Sequence, residues 1–375
     1  MTTEAALTTE SALTLPPFYC PFPPASRPDA EEIESRAVEW ITRQGAYRSR
    51  AYLDALTRAR AGIVVTQAMP DAVPDRVQIA ADFMYWGFTF DDGNLDEGAL
   101  GDQPAEAIEF LGTMARVAEN PRSELLPENP WAASLRDLTR RVAACATPEQ
   151  TQRWITGLQT LFYGLAWETR YRARGRRPDL DTCLMIRRGS IGMEPLTSLN
   201  DMADGYLLPP EVYHSPLVRA LREICWTLII CDNDLYSFNK ENRRDTSYFN
   251  YVHSLAQEND TSPRDALPDA VALRDRIMNL FLALREQTTP DAPPELRRYL
   301  TSLGLWLRAN IDWATSSSRY LPDSGRPRPG ALYTDQPVHH RLEPPALPSV
   351  DWWWQLLDTR TTTQPGGRSE SDLAR

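Results

Sequence analysis

From Pro28 onward apolar residues recur at spacings of three and four, and the period-two alternation that marks strands is nearly absent. The clearest helix start is Thr147-Pro148-Glu149-Gln150, with a capping Thr, Pro in the first helical position and Gln three residues after the cap. The helix that follows sets Trp154, Leu158, Leu161 and Leu165 on one face. Another is expected from Ser215-Pro216, carrying Leu217, Leu221, Ile224, Leu228 and Ile229, with Trp226 and Ile230 widening the apolar arc. A helix apolar over so much of its circumference belongs inside a larger bundle. Two more are expected over Ala270–Glu286 and Glu295–Tyr320. Seven prolines from Pro322 to Pro348 exclude a helix there. The pattern predicts an all-α fold: a Pro-rich arm over residues 1–28, whose Phe18, Tyr19 and Phe22 dock on the body, a single helical domain over 29–360, and a polar tail over 361–375.

Composition narrows the partners. The chain has 375 residues, 42% hydrophobic and 24% charged, an ordinary globular balance. Its formal net charge of −11 argues against nucleic acid or an anionic membrane surface as the main partner. An anionic substrate therefore needs a local basic cluster or metal ions. The five cysteines form no CxxC pair and their number is odd, which argues against a disulfide framework or a zinc knuckle. The N-terminal stretch has no basic region ahead of an unbroken apolar core, as a signal peptide would. The longest near-apolar run, around Trp226–Cys231, is far short of the ~20 residues of a membrane helix. The expectation is a cytoplasmic protein with no membrane insertion.

Candidate chemistry sits in a few places. The apolar run Phe83–Phe88 leads into Phe90-Asp91-Asp92-Gly93-Asn94-Leu95-Asp96-Glu97. In α geometry Asp92 and Asp96 share a helix face, with Asp91 about 100° away. Two readings stand here: a hard-oxygen site for Mg²⁺, or a solvated acidic helix end. A calcium-binding EF-hand loop starting at Asp92 fails, because its Gly position is Glu97 and its twelfth is Gln103. Further on, Asn233, Ser237 and Glu241 are spaced i, i+4, i+8 and form one narrow stripe at the end of the most apolar helix. They read either as three oxygen ligands for one cation or as an exposed last turn. Glu168 continues the Leu158–Leu165 face, as an apolar-stripe carboxylate or one that reaches past the helix end. Trp306, Asn310, Trp313 and Ser317 form a stripe with Tyr320, and Arg319 beside it is either functional or dipole compensation. In Arg187-Arg188-Gly189-Ser190-Ile191-Gly192, the two glycines should weaken or break a helix.

Together these features resemble the bacterial class I terpene cyclases over essentially the whole chain. That family carries an Asp-rich motif, a distal N-D-x-x-S-x-x-x-E motif, an upstream diphosphate-sensing Arg and a late Arg-Tyr pair. The matching residues are Asp91–Asp96, Asn233–Glu241, Arg187, which lies 46 residues before Asn233, and Arg319-Tyr320. Asp91-Asp92-Gly93, Trp167-Glu168 and the Trp352–Trp354 triplet add to the likeness. The acidic motif is DDxxxD, one residue longer than the common DDxxD.

The resemblance implies a class I terpenoid synthase helical bundle around a central apolar cavity. It also implies cyclisation of a linear isoprenyl diphosphate, with farnesyl diphosphate favoured and geranylgeranyl diphosphate as the alternative. Three Mg²⁺ ions would be held by Asp91, Asp92, Asp96, Asn233, Ser237 and Glu241. Arg187, Lys240, Arg319 and Tyr320 would hold the diphosphate. By position, Ser190 and Ile191 fall at the linker and effector sites next to the sensor Arg187, and Glu168 supports the site. Trp86, Phe90, Trp226 and Trp313 are candidate wall aromatics, and the loop after Tyr320 is expected to close over bound diphosphate. A homodimer is left open. A prenyl-chain-elongating synthase is a competing reading; it normally has two Asp-rich motifs, which the Asn-Ser-Glu pattern speaks against. A non-enzymatic helical binding protein is the other; it would leave clusters at family spacing unexplained.

Overall fold

The structure, a computed structural model, describes Leu15 and residues 17–96, 98–242, 249–320, 333–337 and 339–357; the side chains of Asp96 and of residues 239–242 lie outside the description. Fifteen helices run through the described residues: α1 (Ala30–Gln44), α2 (Arg50–Ala59), α3 (Ile63–Ala68), α4 (Pro74–Asp91), α5 (Pro104–Glu119), α6 (Pro130–Cys145), α7 (Pro148–Ala173), α8 (Leu180–Ser190), α9 (Met193–Ser198), α10 (Asn200–Ala203), α11 (Pro210–Tyr213), α12 (Pro216–Asn242), α13 (Tyr251–Glu258), α14 (Leu267–Thr288) and α15 (Pro294–Ser316). The only strands among the described residues are β1 (Phe18–Tyr19) and β2 (Tyr333–Thr334), paired in parallel. None of the described helices is long and apolar enough to cross a membrane.

Local chemistry sets the helix ends. The Thr147 hydroxyl accepts from the Gln150 N–H at 3.2 Å, and the Gln150 side-chain oxygen accepts from the Thr147 N–H at 3.0 Å, completing the capping box that starts α7. Asn129, Asp179 and Asn250 cap α6, α8 and α13 more simply, each side chain accepting one backbone N–H of the first turn. α12 is wrapped by α8, α14 and α15, and its Leu221, Ile224, Leu228, Ile230 and Leu235 are fully buried.

Two boundaries differ from the sequence reading. α15 ends at Ser316, so Arg319 and Tyr320 lie in the turn beyond it. The cause is a run of hydroxyls: Thr315 and Ser316 bond back to the carbonyls of Ile311 and Asp312, and Ser317 turns away to the Ala59 carbonyl at 3.0 Å. Of the two glycines only Gly192, at φ +75°, breaks the helical run, two residues past the end of α8. Gly189 stays helical and packs on Gly164 of α7; a Cβ on Gly164 would come within 2.4 Å of the Ser190 nitrogen. This contact brings α7 and α8 close enough for side chains on both to meet.

The described part of the N-terminal arm docks as the aromatic residues suggest, with Phe18, Tyr19 and Phe22 buried. Arg274, fully buried, donates to both oxygens of the fully buried Asp232 (2.8 and 3.3 Å) and to the Tyr19 carbonyl. Removing this cation leaves Asp232 buried without its guanidinium. Arg274→Ala is expected to cost about 3–5 kcal/mol of stability, read as a lowered denaturation midpoint; an unchanged midpoint would contradict this account of the arm. The described part of the C-terminal segment is anchored too. Asn279 donates to the His339 carbonyl at 2.7 Å, the Ser349 hydroxyl to Asp181 at 2.6 Å, and Trp353 is buried. Of the expected closing loop, residues 321–332 and 338 lie outside the described residues.

Candidate active site

The end of α4 passes into a π turn over Asp92–Asp96. A π turn bonds i to i+5, so the extra residue of DDxxxD is taken up there, and the four-residue spacing of Asp92 and Asp96 loses the meaning it has in an α-helix. Asp91 and Asp92 both line a cavity of about 830 Å³. Asp92 is buried and its carboxylate is well supplied with donors. Arg319 reaches it with Nη1 on Oδ2 at 3.1 Å and Nη2 on Oδ1 at 3.4 Å, and the Tyr52 hydroxyl donates to Oδ2 at 2.6 Å. Burial first, and the Asp92 charge second, push the Tyr52 ionisation well up, so the phenol stays a donor. Burial is the largest influence on Arg319 and works against its charge, but the Asp92 charge first, with Tyr320, Tyr52 and the hydrogen bond to Asp92, together hold its ionisation above the ordinary value, so the guanidinium stays charged.

The facing side comes from α12. The helix continues unbroken to Asn242, so Asn233 and Ser237 fall one turn apart, and both line the cavity. Arg187, in the last turn of α8, donates from Nη2 to Asn233 Oδ1 at 3.2 Å and to Asp234 Oδ1 at 2.8 Å. The other oxygen of Asp234 accepts from the Tyr251 N–H at 2.9 Å, tying Arg187 to the start of α13. The amide nitrogen of Asn233 donates to the Tyr320 hydroxyl at 2.7 Å. Glu168 does not reach past its helix: it is buried, accepts from the Ser190 hydroxyl, and pairs with Arg172 at 2.9 Å and Arg187 at 3.9 Å. Arg188 points elsewhere, onto Glu223 at 3.0 Å.

The structure thus brings Asp91, Asp92, Glu168, Arg187, Ser190, Ile191, Asn233, Ser237, Arg319 and Tyr320 to one cavity. The side chains of Asp96, Lys240 and Glu241 lie outside the described residues. Of the candidate wall aromatics, Phe90 lines the cavity together with Phe83 and Phe88. Trp86, Trp226 and Trp313 stand behind the wall. Trp86 stacks on Phe90 with centroids 4.6 Å apart, and its indole N–H is spent on the Trp131 carbonyl. Trp226 donates to Thr197, and Trp313 donates to the Ala59 carbonyl at 2.7 Å while its ring backs Tyr320 and Phe88.

No three His, Cys, Asp or Glu side chains gather as a metal cluster among the described residues. The donor set is instead mixed: two carboxylates on one wall, an amide oxygen and a hydroxyl on the other. Such hard oxygens suit Mg²⁺, which keeps several waters and takes few protein ligands. Sequence reading missed Tyr52 and two residues that line the cavity, Arg172 and Phe249. Arg172 could have been found as the i+4 partner of Glu168; Tyr52 and Phe249 carry no local signal.

Comparison with known proteins identifies the family. The family model for terpene synthase family 2, C-terminal metal binding, matches residues 82–279. The chain is 34% identical to bonnadiene synthase of Allokutzneria albata over 359 residues, covering 92% of this chain and 99% of that one. It is also 34% identical to (+)-T-muurolol synthase ((2E,6E)-farnesyl diphosphate cyclizing) of Streptomyces clavuligerus over 342 residues, 90% of this chain and 82% of that one. The crystal structure of the SVS_A2 protein from ancestral sequence reconstruction superposes with a TM-score of 0.81 at 31% identity, over 91% of this chain and 98% of that one. With acidic, amide-hydroxyl and guanidinium groups converging on one cavity of a helical bundle, and likeness of this extent, the chain belongs to the terpene synthase family and is an enzyme of that class.

Proposed function

We propose that the enzyme ionises and cyclises a linear isoprenyl diphosphate with Mg²⁺, that farnesyl diphosphate is the substrate, and that the products are a sesquiterpene and free diphosphate. The observation that carries this reading is the polarity of the cavity. Its lining combines Asp91, Asp92, Asn233, Ser237, Arg187, Arg319 and Tyr320 with the apolar Phe83, Phe88, Phe90, Leu161, Leu165 and Leu196. A diphosphate carries about three negative charges, and leaving it as an anion beside an apolar cavity is prohibitive without counter-charge.

The chain's own groups divide that work. Arg187 and Arg319 offer planar forks that match phosphate oxygens, and the Tyr320 hydroxyl adds a donor. Asp91 and Asp92 on one wall, with Asn233 and Ser237 on the other, would hold Mg²⁺, three ions by family likeness, with Glu241, one turn further along α12, as the remaining ligand the resemblance implies. Bound there, the metal supplies charge that neutralises the departing diphosphate. The aliphatic and aromatic walls hold the hydrocarbon folded, keep water away and offer ring faces to a developing cation. The T-muurolol synthase named above is a farnesyl diphosphate cyclase by its own description, which supports the C15 choice. A cavity of about 830 Å³ also leaves room for a C20 chain, and geranylgeranyl diphosphate is the second reading.

The test is incubation with Mg²⁺ and the C10, C15 and C20 diphosphates, followed by gas chromatography–mass spectrometry. A cyclic C15 product is expected. Cyclic C20 alone would move the assignment to a diterpene cyclase, longer linear diphosphates would indicate chain elongation, and no product from any of them would overturn the proposal.

A further inference from the structure

Tyr52 lies on α2, outside every motif considered above, and does not line the cavity. Its hydroxyl nevertheless reaches the junction where α4 becomes the π turn. It donates to Asp92 Oδ2 at 2.6 Å and stands 3.0 Å from the Phe88 carbonyl. That carbonyl also accepts the Asp92 backbone N–H that closes α4. One phenol therefore touches both the carbonyl that closes the last α turn of α4 and the carboxylate at the head of the π turn. Arg48 lies over the Tyr52 ring, with its guanidinium carbon 4.7 Å from the centroid, which restrains the ring from the far side.

The other donor to Asp92 named above is Arg319, which lines the cavity and is open to an incoming phosphate. The Tyr52 contact comes from behind the wall, where phosphate does not compete.

We infer that Tyr52 is a positioning residue for Asp92, whose hydroxyl keeps that carboxylate in its metal-binding orientation when Arg319 is engaged by diphosphate. The inference rests on the reading of Asp92 as a metal-binding group. A partner that orients a metal ligand typically changes metal affinity about 10–100-fold when lost, with less effect on the chemistry once metal is saturating.

The experiment uses the full chain and Tyr52→Phe, which keeps the ring and removes only the hydroxyl. Mn²⁺ is titrated in the presence of inorganic diphosphate, by calorimetry and by electron paramagnetic resonance, and turnover is measured against Mg²⁺ concentration. Wild-type protein should bind Mn²⁺. The variant should bind it about 10–100-fold more weakly, with the half-saturating Mg²⁺ raised in proportion and kcat at saturating metal lowered much less. Equal Mn²⁺ affinity in the two proteins would overturn the role given to Tyr52 while leaving the metal site standing. A fall in kcat with unchanged metal affinity would overturn it equally. If wild-type protein binds no Mn²⁺ with diphosphate, both this inference and the reading of Asp92 fall together.

Discussion

Arg187→Ala is expected to reduce turnover by on the order of a thousand-fold, the scale of losing a strong preorganised donor to developing negative charge. Arg187 approaches the cavity from α8, is held by Asp234 at 2.8 Å, and orients the Asn233 amide at 3.2 Å. Loss of the guanidinium removes a forked phosphate donor that water cannot replace, and among the described residues it leaves the Asn233 amide held only through its nitrogen, by the Tyr320 hydroxyl. Arg187→Lys keeps the charge but not the fork and should recover only part of the rate. Because Asp234 is buried, Arg187→Ala should also lower stability, by about 3 kcal/mol. The readout is therefore paired: diphosphate affinity in the presence of Mg²⁺, and the denaturation midpoint. A variant with wild-type rate and diphosphate affinity would contradict the assignment. The neighbouring Arg188 is a poor substitute, since it is committed to Glu223 and the Trp353 indole shares that same carboxylate oxygen.

Glu241→Gln should be nearly as severe. The helix that places Asn233 and Ser237 on the cavity continues through residue 241, so the i, i+4, i+8 register is intact in the backbone. Replacing the one carboxylate of that set by an amide removes the negative charge that would draw a divalent ion to this wall. Metal-borne charge stabilisation is worth several kcal/mol, on the order of a thousand-fold in rate. Ser237→Ala removes a neutral oxygen and should cost less. Circular dichroism should stay helical for both variants, and turnover should respond to added Mg²⁺. Wild-type-like turnover of Glu241→Gln at limiting Mg²⁺ would remove Glu241 from the metal set.

Much of this arrangement can be read from sequence where local chemistry decides it. The capping box at Thr147 and Gln150, the buried circumference of α12 and the docking arm all follow from residue type and spacing. Asn233 and Ser237 were legible because α12 stays a regular helix. The hydroxyl run Thr315–Ser318 could have placed the end of α15, since such side chains compete for backbone carbonyls. Other features depend on distant partners. The π turn at Asp92 is met by Tyr52, 40 residues away, and nothing near either residue announces the pairing. Periodicity likewise shows that Trp86, Trp226 and Trp313 face inward. It does not show which part of the interior is empty, and their indole N–H groups were drawn to Trp131, Thr197 and Ala59 behind the cavity wall.

The central claim is Mg²⁺-dependent cyclisation of an isoprenyl diphosphate in this cavity. The most direct test incubates the purified chain with farnesyl diphosphate, with Mg²⁺ or with a chelator, and measures hydrocarbon and inorganic diphosphate in the same reaction. The account predicts a cyclic C15 product and diphosphate in equal amounts with Mg²⁺, and neither with the chelator. Equal yields in both reactions, or diphosphate released with only linear alcohol, would contradict it.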